Sequence, residues 1–153
     1  KIAQFLDMNS NVVFDDIIVG NNGYDIIDDY FKCLDKMTFI TISPVVCNKT
    51  VLKRPRYISP EEDEYREMIK NNINKKYFLA FGKMPGQYEI DEITNIKMRK
   101  INFRNTFYIC YDYKITFKDI DSNILSILMS SGIGSKNSMG FGMLRYEKTN
   151  LSL

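Results

Sequence analysis

Residues 59–82 read Ser-Pro-Glu-Glu-Asp-Glu-Tyr-Arg-Glu-Met-Ile-Lys-Asn-Asn-Ile-Asn-Lys-Lys-Tyr-Phe-Leu-Ala-Phe-Gly, and this stretch fixes what must lie on either side of it. Ser59 has the side chain of a helix N-cap, Pro60 the preset φ of a first helical residue, and Glu62 stands where a carboxylate returns a hydrogen bond to the cap. Tyr65, Ile69, Ile73 and Tyr77 then recur every four residues, with Met68 and Ala80 flanking the stripe, so one face packs on a core. Arg66, Lys70, Lys75 and Lys76 fall on the other face, and Gly82 provides the stop. A core-facing helix over roughly residues 60–81 follows.

Upstream, residues 37–47 alternate Phe39, Thr41 and Ser43 against Thr38, Ile40 and Ile42 and are dominated by β-branched side chains, the pattern of a strand. Pro44 has no amide to give a ladder, so it marks an edge, a bulge or a bend. Downstream, two long strand patterns meet near residues 102–105. The first ends in Ile96-Lys97-Met98-Arg99-Lys100-Ile101, where the apolar positions change parity at Lys100 as a bulge would make them do. The second, residues 106–116, puts Phe107, Ile109, Tyr111, Tyr113 and Ile115 on one face. Asp119 or Asp121 caps a second helix whose Ile124, Leu125, Leu128 and Met129 share a side, and Gly132 stops it. Residues 139–146 read as a glycine-interrupted last strand. The order β-α-β-β-α-β predicts an α+β, ferredoxin-like domain over residues 36–148, with two helices on one face of an antiparallel sheet.

Residues 1–35 do not fit that unit. Ile2, Ala3, Phe5 and Leu6 read as the last turns of a helix; residues 12–14 and 17–19 run into Gly20-Asn21-Asn22-Gly23 and then residues 24–27, two strand segments around a turn. The expectation is the end of a preceding domain that is mostly absent from the chain, with residues 149–153 as a tail.

The 153 residues, 44% of them apolar, suffice for one core and not for two complete domains. There is no histidine, which removes Ser-His-Asp and Cys-His catalysis and HExxH zinc sites. Cys33, Cys47 and Cys110 lie far apart and read as buried reduced thiols, with neither a disulfide framework nor a metal knuckle. No cofactor or metal is expected. No apolar run approaches the roughly 20 residues of a membrane helix and the start lacks a signal peptide's pattern, so a soluble, cytoplasmic chain is expected.

The net charge of +2 conceals an asymmetry: residues 1–35 carry two lysines against seven aspartates, and the remainder 19 basic against 12 acidic side chains. Lys49, Lys53, Arg54 and Arg56 crowd one loop; Lys97, Arg99, Lys100 and Arg104 crowd one predicted strand, as a phosphate-binding track would. Four of the eight glycines fall within Gly132-Ile133-Gly134-Ser135-Lys136-Asn137-Ser138-Met139-Gly140-Phe141-Gly142. Neither GxGxxG nor GxxxxGK[ST] can be read there, and the loop leaves a helix to enter a strand, the reverse of a mononucleotide loop. Glycines that bring backbone amides close to an anion suit a nucleic-acid backbone instead, with Lys136, Asn137 and Ser138 as donors. A glycine turn packed under the sheet, with Lys136 in solvent, is the other reading of the same spacing.

Ser43-Pro44-Val45-Val46, Asn72-Ile-Asn-Lys-Lys-Tyr77 and the Gly132–Gly142 loop together resemble the CRISPR-associated repeat-processing endoribonucleases of the RAMP superfamily, over most of residues 36–148. The resemblance implies two tandem ferredoxin-like domains, of which this chain holds the C-terminal one, and metal-independent cutting of the repeat in a precursor CRISPR transcript. It also implies a histidine, often with tyrosine or lysine, supplied by the N-terminal domain; this chain has none, so no catalytic residue is assigned and the chain alone is expected to be inactive. The candidate RNA contacts are Gly134, Ser135, Lys136, Asn137 and Ser138, then Lys97, Arg99, Lys100 and Arg104, then Lys53, Arg54 and Arg56. The partners implied are repeat RNA and other CRISPR effector subunits; the oligomeric state stays open, a homodimer included. The alternative is a noncatalytic subunit of a CRISPR ribonucleoprotein.

Overall fold

A computed structural model of the chain describes residues 11–14, 17–20 and 35–147. The chain divides into two compact units, Lys1–Lys32 and Cys33–Leu153. In the first, β1 (Asn11–Phe14) and β2 (Ile17–Gly20) pair antiparallel, with Val12 opposite Val19 and Phe14 opposite Ile17. The paired segments flank residues 15–16, and past Gly20 the expected Gly20–Gly23 turn lies outside the described residues. The expected helix end at residues 2–6, the segment 24–27, Cys33 and the 149–153 tail lie outside the described residues.

The second unit runs β3 (Lys36–Thr41), β4 (Asn48–Val51), β5 (Arg54–Tyr57), α1 (Asp63–Phe81), β6 (Glu89–Phe103), β7 (Thr106–Lys118), α2 (Ser122–Ser131) and β8 (Leu144–Tyr146). Its four-stranded sheet has the order β6-β7-β3-β8 with every neighbouring pair antiparallel. With the separate β4–β5 hairpin set aside, this is the β-α-β-β-α-β ferredoxin-like order with β3 and β7 central.

The core lies where the α1 stripe and the inward residues of the sheet meet. Tyr65, Ile69, Ile73 and Tyr77 are buried, as are Phe39, Tyr113, Ile115 and Phe117 of the sheet and Ile124, Leu125 and Leu128 of α2. The two buried phenols of Tyr65 and Tyr113 satisfy each other at 2.8 Å, so neither is left unpaired in the low-dielectric interior. Helix α2 starts on Asp121, whose Oδ1 accepts from the Ile124 amide at 2.7 Å. Helix α1 ends on Gly82, left-handed at φ 68, its amide donating to the Phe78 carbonyl.

Four boundaries differ from the sequence reading. The expected capping box forms, the Ser59 amide donating to Glu62 Oε1 at 2.8 Å, but as a turn that precedes the helix, which begins at Asp63. The first strand ends at Thr41: residues 42–44 swing out of the ladder, and Val45 rejoins opposite Tyr111 with both amides donating, at 2.8 and 3.0 Å. Pro44 sits in that excursion, where its missing amide leaves no ladder bond unmade. The β6 register shifts fall at Ile90/Glu92 and Thr94/Lys97, ahead of Lys100. The last strand is only Leu144–Tyr146, because residues 137–139 form a 3-10 turn.

Candidate nucleic-acid interface

Residues 132–143 connect α2 to β8, and their two ends are sewn to the strand excursion. The Ile133 amide donates to Gly142 O (2.9 Å), Ser135 to Val46 O (2.7 Å), Gly142 to Pro44 O (3.0 Å), and the Met143 amide to Ser43 Oγ (2.9 Å). Glycine is required by this closeness. At Gly134, φ +74, a Cβ would stand 2.6 Å from Val45 Cγ1; at Gly142, φ +77, it would stand 2.0 Å from the Ile133 carbonyl oxygen.

A polar clamp holds this base. Asn137 Nδ2 donates to the Ile133 and Phe141 carbonyls, both at 2.9 Å, while its Oδ1 accepts from Lys76 Nζ at 2.8 Å. The same ammonium donates to Ser131 O at 3.1 Å and Gly132 O at 2.7 Å. Helix α2 has no basic residue in its last turn, so a lysine of α1 meets the carbonyls that α2 leaves open. Burial pushes the Lys76 ammonium down to about 8.

The apex is open. Lys136, Ser138, Met139 and Gly140 are exposed. Lys136 is left-handed at φ 64, and the 3-10 turn Asn137–Met139 follows at once. The Met139 and Gly140 amides close that turn onto Lys136 O and Asn137 O. Among the described residues, no backbone carbonyl accepts from the amides of Lys136, Asn137 or Ser138, and no carboxylate pairs with the Lys136 ammonium. A left-handed residue followed by right-handed ones turns consecutive amides toward a common point, a concavity suited to an anionic oxygen.

Beside the loop, Phe141 packs with Val46 and Cys110, and Tyr57, Ile101 and Tyr108 cover the cluster. The Tyr108 and Phe141 rings are 5.6 Å apart, edge to face. Strand alternation puts Tyr108, Cys110 and Asp112 on the face opposite Tyr113, Ile115 and Phe117, so this satellite cluster lies on the sheet face away from the main core. Lys97, opposite Asp112, and Arg99, opposite Cys110, share that face with the loop's Phe141. Lys100, opposite Ile109, is on the other face, its ammonium 4.4 Å from the Phe107 ring centre, and Arg104 sits in the β6–β7 turn over Phe103. The single track read from the sequence is therefore divided between two faces and a turn.

Several expected contacts have other partners. Gly134 is buried against Val45 and Val46, the Ser135 amide is engaged by Val46, and the Asn137 side-chain amide is engaged by the Ile133 and Phe141 carbonyls and by Lys76. Arg99 pairs with Asp112. In the β4–β5 hairpin, Arg56 reaches Glu62 at 2.5 Å and Glu64 at 3.4 Å, and Lys49 reaches Glu64 at 2.5 Å. The Lys49 hydrogen bond is the main reason the Glu64 carboxyl lies below its usual range. Lys53 and Arg54 stay exposed at the hairpin tip, where Leu52 and Lys53 both have positive φ. Lys76 was placed on the polar face of its helix, yet it stands three residues after Ile73 and seven after Ile69, on the edge of the buried stripe; that spacing was the available signal.

Residues 30–146 match the family model described as CRISPR associated protein Cas6, C-terminal. A CRISPR-associated endoribonuclease Cas6 of Pyrococcus furiosus is 28% identical over 117 residues, covering 76% of this chain and 44% of that protein. A Cas6 endoribonuclease of Methanocaldococcus jannaschii is 28% identical over 110 residues, 68% of this chain and 42% of that protein. The chain thus spans less than half the length of these curated relatives. A solved CRISPR-associated Cas6 protein shares the fold, with a TM-score of 0.66 at 24% identity over 73% of this chain and 48% of that one.

Proposed function

The chain belongs to the Cas6 C-terminal family, and on that premise we propose that it binds the repeat of a precursor CRISPR transcript, as the RNA-binding part of a metal-independent endoribonuclease. The observation that carries this reading is the loop apex: an exposed Lys136 and three consecutive amides that, among the described residues, have no carboxylate partner and no backbone acceptor, on a base tied down through the Ile133, Ser135 and Gly142 amides. Lys136, Ser138 and the apex amides hold backbone phosphate; Lys97 and Arg99 extend the contact along the shared sheet face, and Lys100, Arg104, Lys53 and Arg54 are outer contacts. Gly134, Ser135, Asn137 and Arg56 act by shaping these surfaces.

Cleavage without metal proceeds by attack of the 2′-hydroxyl on the adjacent phosphate and needs a base, an acid for the leaving 5′-oxygen and cations at the phosphorane. In this proposal the chain supplies the grip, and the acid and base belong to the portion of the protein that corresponds to the rest of the relatives' length; residues 1–35 are the end of that preceding ferredoxin-like domain. The protein works in the cytoplasm; among the described residues no helix is long and apolar enough to cross a membrane. The absence of histidine from the chain favours one competing reading, a noncatalytic subunit that meets other CRISPR effector proteins.

Binding of labelled repeat RNA and of an unrelated RNA of equal length, measured across a salt series, tests the proposal. The repeat RNA is expected to bind more tightly, and Lys136→Ala to weaken it about tenfold while lowering the salt slope by about one. Equal, weak binding of both RNAs at moderate salt removes the RNA-binding reading; a stable complex with effector proteins in place of RNA affinity favours the competing one.

A further inference from the structure

Lys76 reaches acceptors in two other parts of the fold. Its ammonium, on α1, meets the last carbonyls of α2 and the side-chain oxygen of Asn137 at the start of the loop apex. Lys75, the preceding residue, is exposed, so the helix surface offered the alternative of a solvated lysine. An ammonium is a donor only, so it can meet Asn137 only through Oδ1. That choice turns Nδ2 toward the Ile133 and Phe141 carbonyls, which stand on the two arms of the loop. With the amide reversed, Nδ2 would face the ammonium and Oδ1 would face two carbonyl oxygens. Lys76 and the two carbonyls therefore select the same orientation of a side chain that ties both arms together, and Lys76 holds its free end in place. Fixing residue 137 also fixes the backbone directions of its neighbours Lys136 and Ser138.

The geometry points to Lys76 as a positioning residue: through Asn137 it sets the shape of the glycine loop so that the apex meets RNA backbone in a single arrangement. The inference rests on the RNA-binding reading of the apex. The role differs from capping α2, because a cap needs only Ser131 and Gly132, whereas positioning needs Asn137 as well.

Amide hydrogen exchange and repeat-RNA affinity, measured on the full chain and on Lys76→Met, Lys76→Arg and Asn137→Asp variants, test it. Lys76→Met is expected to speed exchange at Ile133, Ser135 and Gly142 while leaving the β3 and β7 core amides unchanged, and to weaken repeat RNA about ten- to a hundredfold. Lys76→Arg keeps the cation and the donors and restores part of both. Asn137→Asp keeps an acceptor for Lys76, and with it the cap, but opposes a carboxylate oxygen to two carbonyls; it is expected to reproduce both losses, and it carries the test should Lys76→Met not fold. A folded Lys76→Met variant with the parent's exchange pattern and affinity overturns the inference, as does a uniform rise in exchange across the core. Should the parent show no preference for repeat RNA, the RNA-binding reading falls on its own; loosening confined to residues 132–142 would still uphold the clamp, and unchanged exchange there would overturn it.

Discussion

The base and the apex of the glycine loop are built from the same residue types and do opposite things. At the base, Gly132, Gly134 and Gly142 are buried, and a Cβ on any of them would strike a neighbouring backbone oxygen. At the apex, Gly140 has φ +89 and nothing within 4 Å of the place a Cβ would occupy. The Ser135, Gly142 and Met143 amides of the base are bonded to residues 43–46; among the described residues, the apex amides of residues 136–138 have no backbone acceptor. Glycine at the base permits close approach, and glycine at the apex permits only a backbone angle. The lesson is that clustering of glycine does not by itself distinguish the sealed part of a loop from its open part; the space around each glycine and the bonding of its neighbours do.

Two substitutions break this contrast most directly. Gly142→Ala is expected to cost about 2–5 kcal/mol, from the strain of a left-handed alanine together with overpacking against the Ile133 carbonyl and the Asn137 amide. Urea denaturation of the full chain measures it, and a loss no larger than that of an apex substitution would mean that the base yields easily. Gly140→Ala meets open space, so only the conformational cost remains, about 1–2 kcal/mol. If the two losses come out equal, the division of the loop into sealed and open parts is wrong.

Most of the fold was legible because its signals are local. Tyr65, Ile69, Ile73 and Tyr77 carry α1 at a spacing that only a helix uses, Asp121 caps α2 through its own third neighbour, and the strand–helix order then leaves few ways to close a sheet. What was not legible depends on partners distant in sequence. Residues 139–143 look like strand, but the pairing of Ser135 with Val46 and of Gly142 with Pro44 uses up the edge that a longer strand would need. Lys97 and Arg99 were grouped with Lys100, and a strand's alternation separates them. Arg56 and Lys49 looked like free charge, but the turn ahead of α1 brings Glu62, and the first turn of α1 brings Glu64, to them. The candidate segment was legible in the sequence as a glycine cluster, while the roles within it follow from contacts that no spacing rule contains.

The smallest effect sharpens the contrast from the base side. Unfolded, Lys76 titrates at about 10.4, and in the folded chain burial pushes it down to about 8. Between those values the unfolded chain binds the Lys76 proton more tightly than the folded one, so raising the pH favours folding there; below about 8 both states are protonated and the slope vanishes. Lys76→Met deletes this contribution. The stability of the parent relative to that variant is therefore expected to rise as the pH goes from 8 toward 10, when both are denatured in urea at matched ionic strength. Cys47 acts in the opposite sense: burial pushes its thiol up to about 11, so its contribution is present below pH 9 and is lost as the pH climbs through 11. Both chains contain Cys47, so its effect cancels in the difference, which would not be so if the parent alone were followed. A difference that stays flat from pH 7 to 10 would mean that three acceptors keep the Lys76 ammonium as comfortable in the clamp as in water, and that the base of the loop holds its lysine charged at every pH where the chain works.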